Sequence, residues 1–153
     1  MRLAFVCVQN AGRSQMCAAF ARRERERRGV GEQVDVVTGG TAPADEVHPV
    51  VVEAMAEVGI DVADREPRAV STAALESCAV VATMGCSTLD LGSAVPVRDW
   101  DLPDPNGADL ATVRQIRAEC RGRVASLFDE IEAGLSDSGG LPRSRTGEGG
   151  EYA

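Results

Sequence analysis

Cys7 and Arg13 stand close together near the start of the chain, separated by Val8, Gln9, Asn10, Ala11 and Gly12, with Ser14 directly after. These residue types at this spacing suit one kind of chemistry. A thiolate is a strong nucleophile, and a guanidinium fork grips two oxygens of a tetrahedral anion. Consecutive backbone N–H groups in a turn that opens a helix form a nest for negative charge. The same field stabilises a thiolate at Cys7, and the Ser14 hydroxyl is placed to donate a hydrogen bond to it. Gly12 permits close backbone approach, and Asn10 tolerates a left-handed conformation. The spacing alone also describes a buried cysteine followed by an unrelated arginine, because cysteine often serves as a small hydrophobe.

A second group lies late in the chain, at Trp100-Asp101-Leu102-Pro103-Asp104-Pro105. Transfer of a phosphoryl-type group to a thiolate needs a proton donor for the leaving oxygen. Asp104 suits that task, since Pro105 stiffens the segment and biases Asp104 toward an extended backbone. Asp101 is the rival, and a proline-containing turn with solvated acids is the plain structural alternative.

The surrounding pattern says how these groups are positioned. Residues 2–8 are apolar and partly β-branched, which predicts a buried strand ending at Cys7. Residues 13–28 read as a helix, with Met16, Ala19 and Phe20 on one face and Glu24 and Arg28 spaced for an ion pair. The ARRERERR run at its end reads as a solvated helix end, because its glutamates dilute a basic patch. Strands are expected at 34–38, broken by Gly39 and Gly40, and at 78–83 and 95–99. Helices are expected at 48–58, 71–76 and 109–133. This alternation implies an α/β fold with a parallel sheet and helices on both faces. The C-x5-R loop then falls on the first strand-to-helix turn, where open α/β sheets bind ligands. Residues 135–153 hold little to bury and are expected to form a disordered tail after a single domain over 1–134.

Composition narrows the field. The net charge is −8, which argues against nucleic acid and anionic membrane surfaces as partners. Lysine is absent, and all 16 basic residues are arginine, a pattern that a salt-rich cell or a GC-rich genome would each produce. No apolar run has the length of a membrane span, and Leu3–Val8 is too short for a signal-peptide core, so the mature protein is expected to begin at or near Met1. Five cysteines, at 7, 17, 78, 86 and 120, fit a reducing, cytoplasmic compartment with one or two working thiols. None has the spacing of a zinc site, and no metal or bound cofactor is expected. Cys17 and Cys120 read as core fillers, Cys78 as a buried strand residue, and His48 as a structural residue before Pro49 at a helix start.

Together, CVQNAGRS (7–14) and the Asp-Pro at 104–105 resemble the low-molecular-weight protein tyrosine phosphatase superfamily. Further segments resemble its arsenate reductase branch: TGGT (38–41), HPVVVEAMAEVGID (48–61), PRAV (67–70), ATMGC (82–86) and DWDLPDP (99–105). The resemblance implies a three-layer fold around a four-stranded parallel sheet of order 2-1-3-4. It implies Cys7 as nucleophile, residues 8–14 as the oxyanion loop with Arg13 as its clamp, and Ser14 as support for the thiolate. Asn10 would hold the loop through Thr38, and Asp104 would be the general acid. Cys86 matches the cysteine that resolves the arsenylated nucleophile, releasing arsenite and leaving a Cys7–Cys86 disulfide. Thioredoxin-linked reductases carry a third cysteine soon after the second, where this chain has Ser87-Thr88-Leu89-Asp90. An external thiol, thioredoxin or a small molecule, is the implied reductant.

Phosphatases of this superfamily follow the acid loop with aromatic residues, whereas here Pro105 precedes Asn106-Gly107-Ala108. An aromatic-poor rim offers a phenyl ring little to stack on, which favours a small inorganic anion. Three readings follow: an arsenate reductase, a phosphatase using Cys7, Arg13 and Asp104, and a non-catalytic anion-binding or redox-sensing module.

Overall fold

The structure is a computed structural model, described here for residues 1–85 and 95–137. Four parallel strands form one sheet in the order β2-β1-β3-β4. They are β1 (Arg2–Cys7), β2 (Asp35–Gly40), β3 (Val80–Met84) and β4 (Val97–Asp99). The helices are α1 (Arg13–Arg27), α2 (Pro49–Ala56), α3 (Thr72–Glu76) and α4 (Leu110–Asp137). This is the expected order of strands and helices.

β1 is central and buried beyond Arg2, as a strand covered on both faces must be. Alternation sends Leu3, Phe5 and Cys7 to one face and Ala4 and Val6 to the other. The first face carries the main core, built with α1, α2 and α4. The second carries a smaller cluster with Leu75 of α3, Cys78 and Val81.

Several boundaries differ from those read in the sequence, each for a physical reason. Gly39 and Gly40 do not break β2 but form its last two residues, paired with Val6 and Cys7. A Cβ on Gly40 would lie 2.5 Å from the Val8 carbonyl oxygen and 2.9 Å from the Asn10 nitrogen. Glycine is therefore what lets β2 run on beside the loop that follows Cys7. Cys78 is buried but precedes β3, its Sγ lying 3.5 Å from the Ala74 oxygen. It sits in the second cluster, across the sheet from the cluster that holds Cys7. α4 continues to Asp137, past the expected end at 133, and the remainder of the expected tail lies outside the described residues.

α1 and α4 pack against each other over the main core, and Arg28 joins their ends. Its guanidinium donates to Glu24 at 2.7 Å, and to Asp129 and Glu132 at 2.9 Å each. The end of the charged run is thus a clamp between helices rather than a purely solvated surface. Cys17 and Cys120 are both fully buried in this interface. Burial pushes the Cys17 thiol well up, and a hydrogen bond with Cys120 adds to it, so Cys17 stays a protonated, unreactive thiol at neutral pH.

α2 is tied to α4 by Glu57, which accepts from Arg114 at 2.6 Å and Arg117 at 2.8 Å. Hydrogen bonds from Arg114 and then Arg117 pull the Glu57 carboxyl down to about 2. A carboxyl held low in the folded state stabilises the fold above the ordinary carboxyl range, and loses that contribution as pH falls through its folded value. Acid unfolding should therefore show Glu57→Gln less stable than wild type at pH 6, with the two converging between about pH 4.5 and pH 2. Gly40→Ala should cost about 1–3 kcal/mol in denaturant melts, the usual penalty for an atom forced into packed surroundings.

Candidate active site

The Cys7–Ser14 loop runs from the end of β1 into the first turn of α1, and its backbone is turned outside-in. The carbonyls of Cys7, Val8, Gln9 and Ala11 accept from the backbone nitrogens of Thr41, Ala42, Ala44 and His48, at 2.8–3.2 Å. With its carbonyls held outward, the loop keeps its N–H groups for another purpose. Among the described residues none of the N–H groups from Val8 to Arg13 has an acceptor. The result is a ring of donors at a helix N-terminus, an arrangement suited to an oxyanion.

Asn10 makes that turn, with φ of 52° and no exposed surface. Its Nδ2 donates to Ser14 Oγ at 2.8 Å and to Thr38 Oγ1 at 2.9 Å. Its Oδ1 accepts from the Arg68 backbone nitrogen at 3.0 Å and from Gln15 Nε2 at 3.2 Å. These bonds fix the hydroxyl directions. Thr38 receives one N–H and passes its own hydrogen to the Phe5 carbonyl at 2.8 Å. Ser14 receives the other, which leaves its hydrogen for Cys7 Sγ at 2.9 Å. The network thus leaves the Ser14 O–H free to donate to the sulfur.

Arg13 and Asp104 meet across the mouth. The Arg13 guanidinium donates to the Leu102 carbonyl at 3.0 Å, and its Nη2 lies 3.9 Å from Asp104 Oδ2. Asp104 Oδ1 also accepts from the Asn106 nitrogen at 3.0 Å, a local turn that orients the carboxyl. Buried Trp100 and Leu102 anchor the segment, Trp100 packing on Phe5 with ring centroids 5.9 Å apart. Gly12 makes room for it, since a Cβ there would lie 2.6 Å from Pro105 Cγ.

Cys7, Val8, Gln9, Gly12, Arg13 and Asp104 line one cavity of about 360 Å³. Asp101 is not among its walls. Asn106, which follows the acid loop, is among them, and so are two residues that sequence reasoning had not placed there, Gly85 and His48. His48 caps α2 through its backbone, yet its ring faces this cavity. Gly85 lies against Arg13, where a Cβ would come within 2.9 Å of Nη1. The bond from Arg68 to Asn10 was likewise hidden, since a backbone donor leaves no mark on residue type. Cys86 follows Gly85 in sequence and lies outside the described residues. Among the described residues no cluster of histidine, cysteine and carboxylate side chains could hold a metal ion.

A parallel sheet of this order, with cysteine, arginine and carboxyl around one cavity at its carboxyl edge, defines a class: enzymes that handle a tetrahedral oxyanion through a thiolate. The chain belongs to the low molecular weight phosphotyrosine protein phosphatase family, whose signature matches residues 2–136. Within that family it is similar to proteins named for arsenate reduction. A Halobacterium salinarum protein named "Putative arsenate reductase" is 59% identical over 131 residues, covering 85% of this chain and 92% of the relative. The glutaredoxin arsenate reductase of Synechocystis is 30% identical over 139 residues, covering 85% of this chain and 98% of its own. The solved thioredoxin-dependent arsenate reductase of Corynebacterium glutamicum superposes with a TM-score of 0.73 at 30% identity. That match covers 87% of this chain, which spans only 62% of the length of the Corynebacterium protein.

Ser14→Ala removes the one hydroxyl that reaches the sulfur. A hydrogen bond to a charged group contributes about 1.5–3 kcal/mol, so alkylation of Cys7 by iodoacetamide at pH 7 should slow by about 10- to 100-fold. Unchanged alkylation would mean that the loop N–H groups alone hold the thiolate.

Proposed function

We propose that this chain is a cytoplasmic, thiol-dependent arsenate reductase with Cys7 as nucleophile. The observation that carries this reading is the cavity wall: Cys7, Arg13, Asp104 and His48 surround a space of about 360 Å³, and among the described residues no Phe, Tyr or Trp lines it. Such a site suits a small tetrahedral anion better than a phenyl phosphate. Identity of 59% to a relative named for arsenate reduction supports the same choice of substrate.

The reaction begins with arsenate held by Arg13 and the loop N–H groups. The Cys7 thiolate forms an S–As bond, and Asp104 protonates the departing oxygen, which leaves as water. A second thiolate then attacks the Cys7 sulfur. An S–S bond forms, the S–As electron pair stays on arsenic, and As(V) departs as As(III) arsenite. Cys86 is the candidate for that second thiolate, because it follows Gly85 of the cavity wall. The resulting disulfide is reduced by an external dithiol of the thioredoxin or glutaredoxin kind, the reductants for which two similar proteins are named. With a small thiol in place of Cys86, the same attack gives a mixed disulfide on Cys7. Four cysteines in the described residues are free, as a reducing compartment would keep them. No helix among the described residues is long and apolar enough to cross a membrane.

The test is arsenite release from arsenate by wild type and Cys86→Ser, with thioredoxin and with small thiols, alongside cleavage of an aryl phosphate. Reduction lost in the variant while ester cleavage persists supports Cys86 as the resolving thiol. Reduction retained with small thiols alone assigns resolution to the external thiol. No arsenite from either form, with ester cleavage intact, overturns the reading in favour of a phosphatase. In the same assays Asp104→Asn should lower turnover by about 10²–10⁴-fold while leaving Cys7 alkylation unchanged.

A further inference from the structure

A second cavity, of about 420 Å³, lies beyond the Asn10 network from Cys7. Gln15 and Thr38, the side chains that brace Asn10, form part of its wall. Three arginines surround it: Arg22 from α1, and Arg65 and Arg68 from the segment between α2 and α3. None of the three pairs with a carboxylate among the described residues, although Asp64 and Glu66 share the rim. Burial, together with Arg65 and Arg25 nearby, pulls the Arg22 guanidinium down to about 10. Cations crowded in this way, none of them held in an ion pair, favour an external anion.

The wall also carries an acceptor. Gln15 is 1% exposed, and its Nε2 is committed to Asn10 Oδ1 and the Asn10 carbonyl. Its Oε1 is left buried without a partner. A fully deprotonated anion would satisfy the arginines and leave that oxygen stranded. An anion that keeps a proton satisfies both, its bare oxygens accepting from guanidinium groups and its O–H donating to Oε1.

We propose that this cavity is a second oxyanion site, selective for a protonated tetrahedral anion of the hydrogenphosphate type. It is separate from the Cys7 cavity and stands whether or not the chain reduces arsenate. An occupant bridges α1 to the segment whose Arg68 backbone nitrogen holds Asn10. It therefore braces the nucleophile loop from behind.

The experiment is calorimetric titration with inorganic phosphate at low ionic strength, where the charge term is least screened. Arg13→Ala removes the clamp of the Cys7 cavity and isolates the second site. This variant should still bind one phosphate, and phosphate should raise its melting temperature. Adding Arg22→Gln, Arg65→Gln and Arg68→Gln should weaken that binding at least tenfold, with Arg22→Gln alone as the variant to read if the multiple one misfolds. Sulfate, which carries no proton at neutral pH, should bind Arg13→Ala at least tenfold more weakly than phosphate. Absence of phosphate binding in Arg13→Ala, or equal binding after the arginines are replaced, overturns the site. Equal binding of sulfate and phosphate overturns the role given to Gln15.

Discussion

Asn10 holds a left-handed backbone with no exposed surface, and both donors and the acceptor of its side chain are engaged. These bonds tie the Cys7–Ser14 loop to three parts of the chain: α1 through Ser14 and Gln15, β2 through Thr38, and the 65–68 segment through Arg68. A non-glycine residue in that conformation costs free energy, and the amide repays it by satisfying groups that would otherwise be buried without partners. The turn at Asn10 allows four loop carbonyls to face outward, which in turn leaves the N–H groups free for an anion. The direction of the Ser14 hydroxyl follows from the same amide.

The other half of the site depends on distant packing. Asp104 lies far from Cys7 in sequence, and it reaches the cavity because β4 feeds directly into Trp100 and Leu102, both buried against the main core. The Trp100 nitrogen donates to Thr83 at the end of β3, so the acid segment is set by the sheet itself. The Leu102 carbonyl then receives Arg13, joining the two halves of the mouth. Sheet order, rather than loop conformation alone, brings thiol, guanidinium and carboxyl together.

The strand order and the position of the Cys7–Ser14 loop were legible because they rest on residue type. An apolar run, C-x5-R-S, a tolerant Asn10 and a partner hydroxyl at Thr38 are all written in side chains. What escaped was carried by backbone or by distant geometry. Gly39 and Gly40 looked like a break, since sequence shows glycine's freedom but not the neighbouring loop that requires it. His48 looked structural, and its carbonyl does accept from Val51 and Val52 at the start of α2, but the residue also walls the cavity. ARRERERR gave no hint that Arg28 would bridge to α4, because its partners Asp129 and Glu132 lie far along the chain. Cys78 was read onto the strand that it precedes, an error at an element boundary.

The burial of Cys17 and Cys120 gives the α1–α4 interface a chemical record of its own motions. A thiol sealed between two helices meets a reagent only when those helices part. Its labelling rate therefore reports how often the interface opens, in the way that amide exchange reports local unfolding. Cys7 lies on the loop at the head of α1, and Cys17 lies within that helix. One modified chain thus carries two clocks, a fast one set by the chemistry of the loop and a slow one set by the cohesion of the core beneath it.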